Sequence, residues 1–512
     1  MTNHTEHTRR IAKNTLMLYF RMFFMMLLGL FTSRIVLEAL GETDYGIYNV
    51  VGGVVALFTM VSGSLTTAVT RFITFELGKN DDQQKNKVYS VSVIVMFILS
   101  LIVVILVEPV GLWFIEHKMT IDPIRIPAAE WVLHFSIFTF VVNLMSIPQT
   151  ASITAHEKMS AYAYIGILDG MLRFAVAIAI MRSNGDRLVL YAMLMAASVM
   201  IVRMAYGKYC SRHFEECHFR FVFDKPLLKE MFSFAGWNFI GSASGVLRDQ
   251  GTNIMVNLFF GPMMNAARGV ALQLNNTVLG FVNNFMIAVN PQITKSYASG
   301  DHENMFSLVR KSARFSYYLL FILVLPILFN TEFLMGLWLK EVPAHAVSFV
   351  RLFLIFSLSE VLSNPLITTM LATGNIRNYQ LLVGGLQLLN LPVSYILLNK
   401  SFAPEVTVLV AIVISQVCLM ARLFMLKRMV NFPSGVYFYR VYLNVLTVTF
   451  VSIPLPLIVS AELTGGWNAL IISASVCVIS AALSVIIFGC TRDERKRVWH
   501  IILGKIHGKS RG

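Results

Sequence analysis

Long apolar runs separated by short polar connections dominate this chain. Runs of roughly 20 apolar residues fall near 14–37, 45–70, 88–113, 128–152, 160–182, 188–209, 231–259, 263–290, 315–338, 345–372, 377–399, 406–426, 441–462 and 467–490. Each is long enough to cross a hydrocarbon layer about 30 Å thick as a helix. The runs are continuous, whereas the strands of a membrane barrel alternate polar and apolar positions in segments of about ten residues. In lipid a helix satisfies its own backbone, so the pattern predicts an all-α polytopic membrane protein of about fourteen transmembrane helices.

Composition supports this reading. The 512 residues are 56% hydrophobic and only 14% charged, with a mean hydropathy of +0.66, which leaves too little polar surface for a soluble protein of this length. The net charge of +14 would suggest nucleic acid in another setting. Here the basic residues lie between the apolar runs, and no nucleic acid partner is expected. With the amino terminus inside, the inner connections and termini carry 30 Lys and Arg against 6 in the outer connections. That asymmetry places both termini in the cytoplasm and requires an even number of spans. The segment before residue 14 is expected to be the basic lead of a first membrane helix, since no cleavage pattern follows it. Five cysteines show neither CxxC nor metal spacing, so no disulfide framework, metal or cofactor is expected.

The chain also repeats itself. AVTRFIT at 68–74 returns as AVNPQIT at 288–294, and Gly41, Pro148, Ala155, Tyr162, Arg203 and Lys208 match Gly261, Pro365, Ala372, Tyr379, Arg422 and Lys427 at offsets of 217 to 220. Two related halves follow: a six-helix lobe over 1–220, a second over 221–430, and two additional helices with a basic tail over 431–512. An even number of spans in each half makes the repeats parallel. The stretch from Ser211 to Lys229, containing HFEECHFRFVFDKP, is the expected linker between lobes.

Charged residues inside spans are costly and point to function. Arg21, Arg173 and Arg248 lie deep in their runs and are expected to face a wet interior. Arg34, Arg268 and Arg351 lie nearer outer helix ends, where snorkelling to the headgroups competes with a cavity role. Asp169 precedes Arg173 by four residues and is expected to pair with it. Asp249 points about 100° away from Arg248 on a helix and is not expected to share its face. Asp169, Asp249 and Glu360 are the candidates for ion or proton coupling. Asn238, Ser242, Gly245, Asp249, Asn253 and Asn257 form a stripe along the seventh helix. Gln273, Asn276, Gly280, Asn283 and Asn290 form another along the eighth. Such stripes suit a cavity for hydroxyl-rich or charged cargo, while amides and small residues also join membrane helices to one another. Prolines 148, 291, 365 and 392 are expected to kink their spans.

No G-x-x-x-x-G-K-[ST], HExxH or GxSxG motif occurs and the outer connections are short, so neither an ATPase motor nor an enzyme is expected. The segments RDQGTNIMVNLFFGPMMNAARGVALQLNN (248–276), NNFMIAVNPQITKSYASGD (283–301), LATGNIRNYQLLVGGLQLLNLPVSYI (371–396) and LEALGETDYGIYNVVGG (37–53) are similar to those of polysaccharide flippases of the Wzx type. These flippases belong to the multidrug/oligosaccharidyl-lipid/polysaccharide exporter superfamily, and the resemblance covers essentially the whole chain.

The resemblance implies a bacterial inner-membrane transporter that moves undecaprenyl-pyrophosphate-linked oligosaccharide repeat units outward by alternating access. It implies two lobes forming a V around a central cavity, contact with membrane lipids, and work alongside a polysaccharide polymerase and chain-length machinery. The cavity candidates are Arg21, Arg173, Arg248, Arg268, Asn253, Gln273, Asn276 and Asn283, with cations for pyrophosphate and amides for sugar hydroxyls. Two rivals share the fold: a cation-coupled multidrug exporter and a flippase for the peptidoglycan lipid precursor. Six span arginines against Asp169, Asp249, Glu360 and Glu38 favour anionic cargo.

Overall fold

The computed structural model of the chain describes residues 2–496 except 57, 58, 80, 118, 120, 340, 341, 463–465 and 493. Every regular element among the described residues is helical. The first half contains α1 (Thr2–Ala56), α2 (Thr59–Lys79), α3 (Asp82–His117), α4 (Ile126–Ala155), α5 (Met159–Met181) and α6 (Arg187–His213). It is followed by α7 (Lys225–Phe260), α8 (Pro262–Ala298), α9 (His302–Phe329), α10 (Thr331–Trp338), α11 (Ala346–Val361) and α12 (Asn364–Thr373). Next come α13 (Arg377–Leu388), α14 (Asn390–Asn399) and α15 (Val406–Val430), and then α16 (Ser434–Tyr437), α17 (Leu443–Ser452), α18 (Pro454–Glu462) and α19 (Trp467–Ser484).

Ten helical stretches among the described residues are long and apolar enough to cross a membrane, or eleven when the bent pair α11–α12 counts as one span. The second, seventh and eighth predicted spans stand outside that group; the second contains residues 57 and 58, which lie outside the described residues. At 36 and 37 residues, α7 and α8 have ample length, but their amide stripes lower the hydropathy.

Two repeat positions now have a backbone reason. Gly41 breaks α1 at φ 75 and ψ 169, and its mate Gly261 separates α7 from α8 at φ 80. That region is costly for any residue with a Cβ. The same holds further along: Glu157 in the α4–α5 turn has φ 59, and the residue 217 positions later, Gly374 in the α12–α13 turn, has φ 79. Proline behaves less uniformly than expected. Pro365 and Pro392 lie just after breaks in the helical run, the first at a 41° bend. By contrast α4 and α8 continue through Pro148 and Pro291. In α4 the Ser146, Thr150, Ser152 and Thr154 hydroxyls donate to carbonyls within the helix, Ser152 to that of Pro148 at 2.9 Å, so polar groups around the proline are satisfied inside α4.

The chain forms two compact units. The first takes 1–243 with 287–301 and 374–377; the second takes 244–286, 302–373 and 378–512. In the first unit Val36, Ala39 and Leu40 of α1 pack on Val176, Ala177 and Ile180 of α5 and Tyr191 of α6. Close approach of α1 to α5 requires small residues. A Cβ on Gly166 would lie 2.2 Å from Arg21 Nε, and one on Gly170 would lie 2.4 Å from Met25 Sδ. In the second unit the carboxyl-terminal helices dock on α9. Arg314 donates to the Gly489 carbonyl at 2.9 Å and to Glu494 at 2.8 Å, and Tyr317 bonds Thr449 at 2.7 Å.

Candidate functional site

In the first unit Arg21 lies over the Tyr162 ring at 4.5 Å, and its Nε is buried with no hydrogen-bond partner among the described residues. Arg173 donates from Nε to Asp169 at 3.0 Å, the pairing that the four-residue spacing predicts. Tyr48 and Tyr191, edge to face at 4.8 Å, adjoin Arg173. Asp169 therefore sits beside a cation, with its charge already compensated.

The second unit holds a longer run of buried charge. Arg248 donates from Nε to Asp249 at 2.9 Å and lies over the Phe356 ring at 5.4 Å. Adjacent residues do point apart on a helix, but the long arginine side chain folds back to its neighbour, and the expectation that the two stay separate is corrected. Arg268 is only 3% exposed, lies over the Phe353 ring at 5.1 Å, and has an Nε without a partner among the described residues. Packing from α11 covers it, so of the two readings open for Arg268 snorkelling does not fit. Arg351 fits the snorkelling reading better, being half-exposed and 3.4 Å from Glu332, and Arg34 is exposed. Asp249 acts electrostatically on both Arg248 and Arg268. Glu360 does the same for Arg248 and Arg422.

Arg422 is one of the 30 Lys and Arg counted with the inner connections and termini. It is 2% exposed and donates to Ser363 Oγ at 2.9 Å, with Tyr379 beside it. Its repeat match to Arg203 was the available signal, because a basic residue preserved in both halves suits a packed position better than a loop.

The amide stripes divide into two kinds. Asn276, Asn283 and Gln273 on α8 are exposed and Asn253 on α7 is half-buried. A buried amide of α8 is Asn275, which accepts from Ser357 of α11 at 2.7 Å. On α7 Asn238, Ser244 and Thr252 are buried. Thr252 donates to Asn390 of α14 at 3.2 Å, and a Cβ on Gly384 would lie 2.8 Å from Ser244 Oγ. Buried polar groups join helices here, while the predicted cavity amides stay accessible.

A third cluster in the first unit went unrecognised in the sequence. Glu157 accepts from Gln292 at 3.1 Å and from Lys295 at 2.9 Å, and its carbonyl accepts from Asn14 at 3.1 Å. Arg71 is buried among Phe72, Phe75 and Phe234 at 4.7, 4.7 and 5.6 Å, with Glu230 at 3.9 Å. A Cβ on Gly374 would lie 2.5 Å from its guanidinium. Between the two clusters, a Cβ on Gly78 would lie 2.6 Å from the Cβ of Ala298. The end of α2 thus meets the α12–α13 turn, while its repeat mate, the end of α8, meets the α4–α5 turn. Groups of three or more His, Cys, Asp or Glu arranged to hold a metal do not occur among the described residues.

A family model described as "Polysaccharide biosynthesis protein" matches residues 11–297. No curated protein matches the sequence. Among solved structures, a MATE protein crystallised in the bent conformation is 12% identical with a TM-score of 0.72, covering 84% of this chain and 97% of its own. The outward-facing conformation of a multidrug resistance MATE family transporter of the MOP superfamily has a TM-score of 0.71 at 12% identity, covering 83% and 97%. A MOP superfamily transporter from Pyrococcus furiosus, described as having a binding pocket of reverse polarity, has a TM-score of 0.68 at 12% identity, covering 83% and 96%.

Proposed function

Because the chain belongs to the polysaccharide biosynthesis protein family, we propose that this membrane transporter flips undecaprenyl-pyrophosphate-linked oligosaccharide repeat units. They move from the inner to the outer leaflet of a bacterial inner membrane, for surface polysaccharide assembly. The observation that carries the reading is Arg268: a buried guanidinium, with an Nε lacking any partner among the described residues, on the same helix as the accessible amides Gln273, Asn276 and Asn283. An arginine fork matches phosphate oxygens, and amides match sugar hydroxyls. Arg248 adds a second cation beside it.

Transport proceeds by alternating access between the two halves. Polymerase and chain-length machinery take over the flipped units on the outer side. Asp169, Asp249 and Glu360 each adjoin an arginine, so they act as coupling sites only by exchanging that partner for a proton or cation.

Arg268→Ala is expected to abolish surface polysaccharide in cells that depend on this transporter, with insertion unchanged. In proteoliposomes, translocation of lipid-linked oligosaccharide should fall by about tenfold or more. Full translocation by both Arg268→Ala and Arg248→Ala would overturn the proposal. The rival drug exporter shares the MATE-like fold. It predicts instead that the wild-type protein expels cationic dyes and that the arginine variants do so at least as well. A flippase for the peptidoglycan lipid precursor would transport that lipid in place of the polysaccharide repeat unit.

A further inference from the structure

The linker between α6 and α7 has two unlike sides. Its first residues form a short 3-10 turn, Glu215–Cys217, after which His218 is extended at φ −95 and ψ 112 and no helix resumes before Lys225. One side is fastened to the start of α3. Asn86 donates to the carbonyls of Glu216 and His218 at 2.9 and 2.8 Å, the Arg220 N–H donates to Ser90 Oγ at 3.1 Å, and Lys87 pairs with Asp224. Arg220 and Val222 line a polar cleft of about 480 Å³ against α3. The intervening residues point elsewhere: Phe219, Phe221 and Phe223 are 53%, 80% and 57% exposed.

Only eleven residues separate His213, the last of α6, from Lys225, the first of α7. A connection that short between two spans runs along the bilayer surface, on the side that the Lys and Arg distribution assigns as inner. Around it Lys208, Arg212, Lys225 and Lys229 are exposed. Of the nearby acids, Glu216 is taken up by His156, Asp224 by Lys87 and Glu230 by Arg71, leaving Glu215 against a basic surround.

We propose that Phe219, Phe221 and Phe223 form an interfacial anchor that inserts into the inner leaflet, with the surrounding lysines and arginines drawing anionic headgroups to the same place. Aromatic rings settle at the headgroup boundary, and clustered cations select acidic lipid. The anchor fixes the depth of α3, α6 and α7 at their inner ends.

The full-length protein, carrying Phe221→Cys with a fluorescent label, tests this in nanodiscs containing phosphatidylglycerol. The native cysteines are all buried, so the label reports the new site. A lipid with a nitroxide near its headgroup is expected to quench it several-fold more than a label at Ser299→Cys on the exposed α8–α9 turn. Aqueous iodide should quench it less, and replacing phosphatidylglycerol by phosphatidylcholine should weaken the lipid quenching. Iodide quenching equal to that at Ser299, with none from the lipid, would overturn the anchor and leave a water-facing surface such as a protein partner would use. Equal lipid quenching in phosphatidylcholine would overturn the role of the cations. In a Phe219→Ser/Phe223→Ser background, which leaves the α3 contacts in place, the label should become accessible to iodide. Unchanged lipid quenching there would overturn the joint action of the three rings.

Discussion

Single residues here answer to what covers them more than to their type. Arg268 and Arg351 both lie near helix ends in the sequence, yet Phe353 covers one and the other reaches Glu332 at the surface. Arg422 looked like a loop cation and is among the most buried side chains of the second unit. Glu216 in the linker shows how such placement tunes charge. Burial raises its pKa, but the His156 bond, a backbone hydrogen bond and the charges of His156 and Lys85 outweigh it, and the net value lies below the ordinary one. A carboxylate depressed in the folded state contributes stability above its unfolded pKa and loses it as pH falls through the folded value. The linker should therefore stay protected from proteolysis at neutral pH and open as pH drops below about 4.5. Glu216→Gln should make the linker protease-sensitive already at pH 7 and flatten the acid dependence. An acid profile identical to wild type would refute this role for Glu216.

Two helices, α7 and α8, each carry two polar faces with different duties. Asn275 bonds Ser357 in the packed interior, whereas Asn276, one residue on, is exposed. Asn275→Leu is expected to lower stability by about 1 kcal/mol, the scale of a hydrogen bond between membrane helices, seen as a reduced melting temperature in detergent. Asn276→Leu should leave the melting temperature unchanged and reduce transport. The reverse assignment would mean that the exposed stripe is structural. The predicted stripe on α8 held Asn276 and not Asn275, but spacing alone could not say which face would be packed, because the two residues lie only about 100° apart on a helix. The prolines carried a similar ambiguity. Pro365 adjoins a 41° bend, while the helix runs on through Pro148.

At the scale of the molecule the repeat becomes a pattern of exchange. The end of α2 meets the α12–α13 turn and the end of α8 meets the α4–α5 turn, all inside the first unit. The alternating access proposed above would make and break such contacts in each cycle, and Glu157 with Lys295 is a charged pair among them. Glu157→Lys and Lys295→Glu are each expected to impair transport severely, since each leaves like charges facing one another, and the double exchange should restore much of it. No recovery in the double variant would show that the pair does not act as a unit.

The sequence by itself determined the class of fold, because hydropathy and the location of Lys and Arg respond to the bilayer residue by residue. It also determined the duplication, because equivalent backbone turns need equivalent residues, as at Gly41 and Gly261. It revealed the Asp169–Arg173 pair, since both groups stand on one helix at a spacing that geometry dictates. Only the tertiary structure decided which arginines are covered, which asparagines join helices, and that Glu157 meets Lys295. Those outcomes depend on contacts between segments more than 80 residues apart, and no local period in the chain encodes which distant side chain will be there.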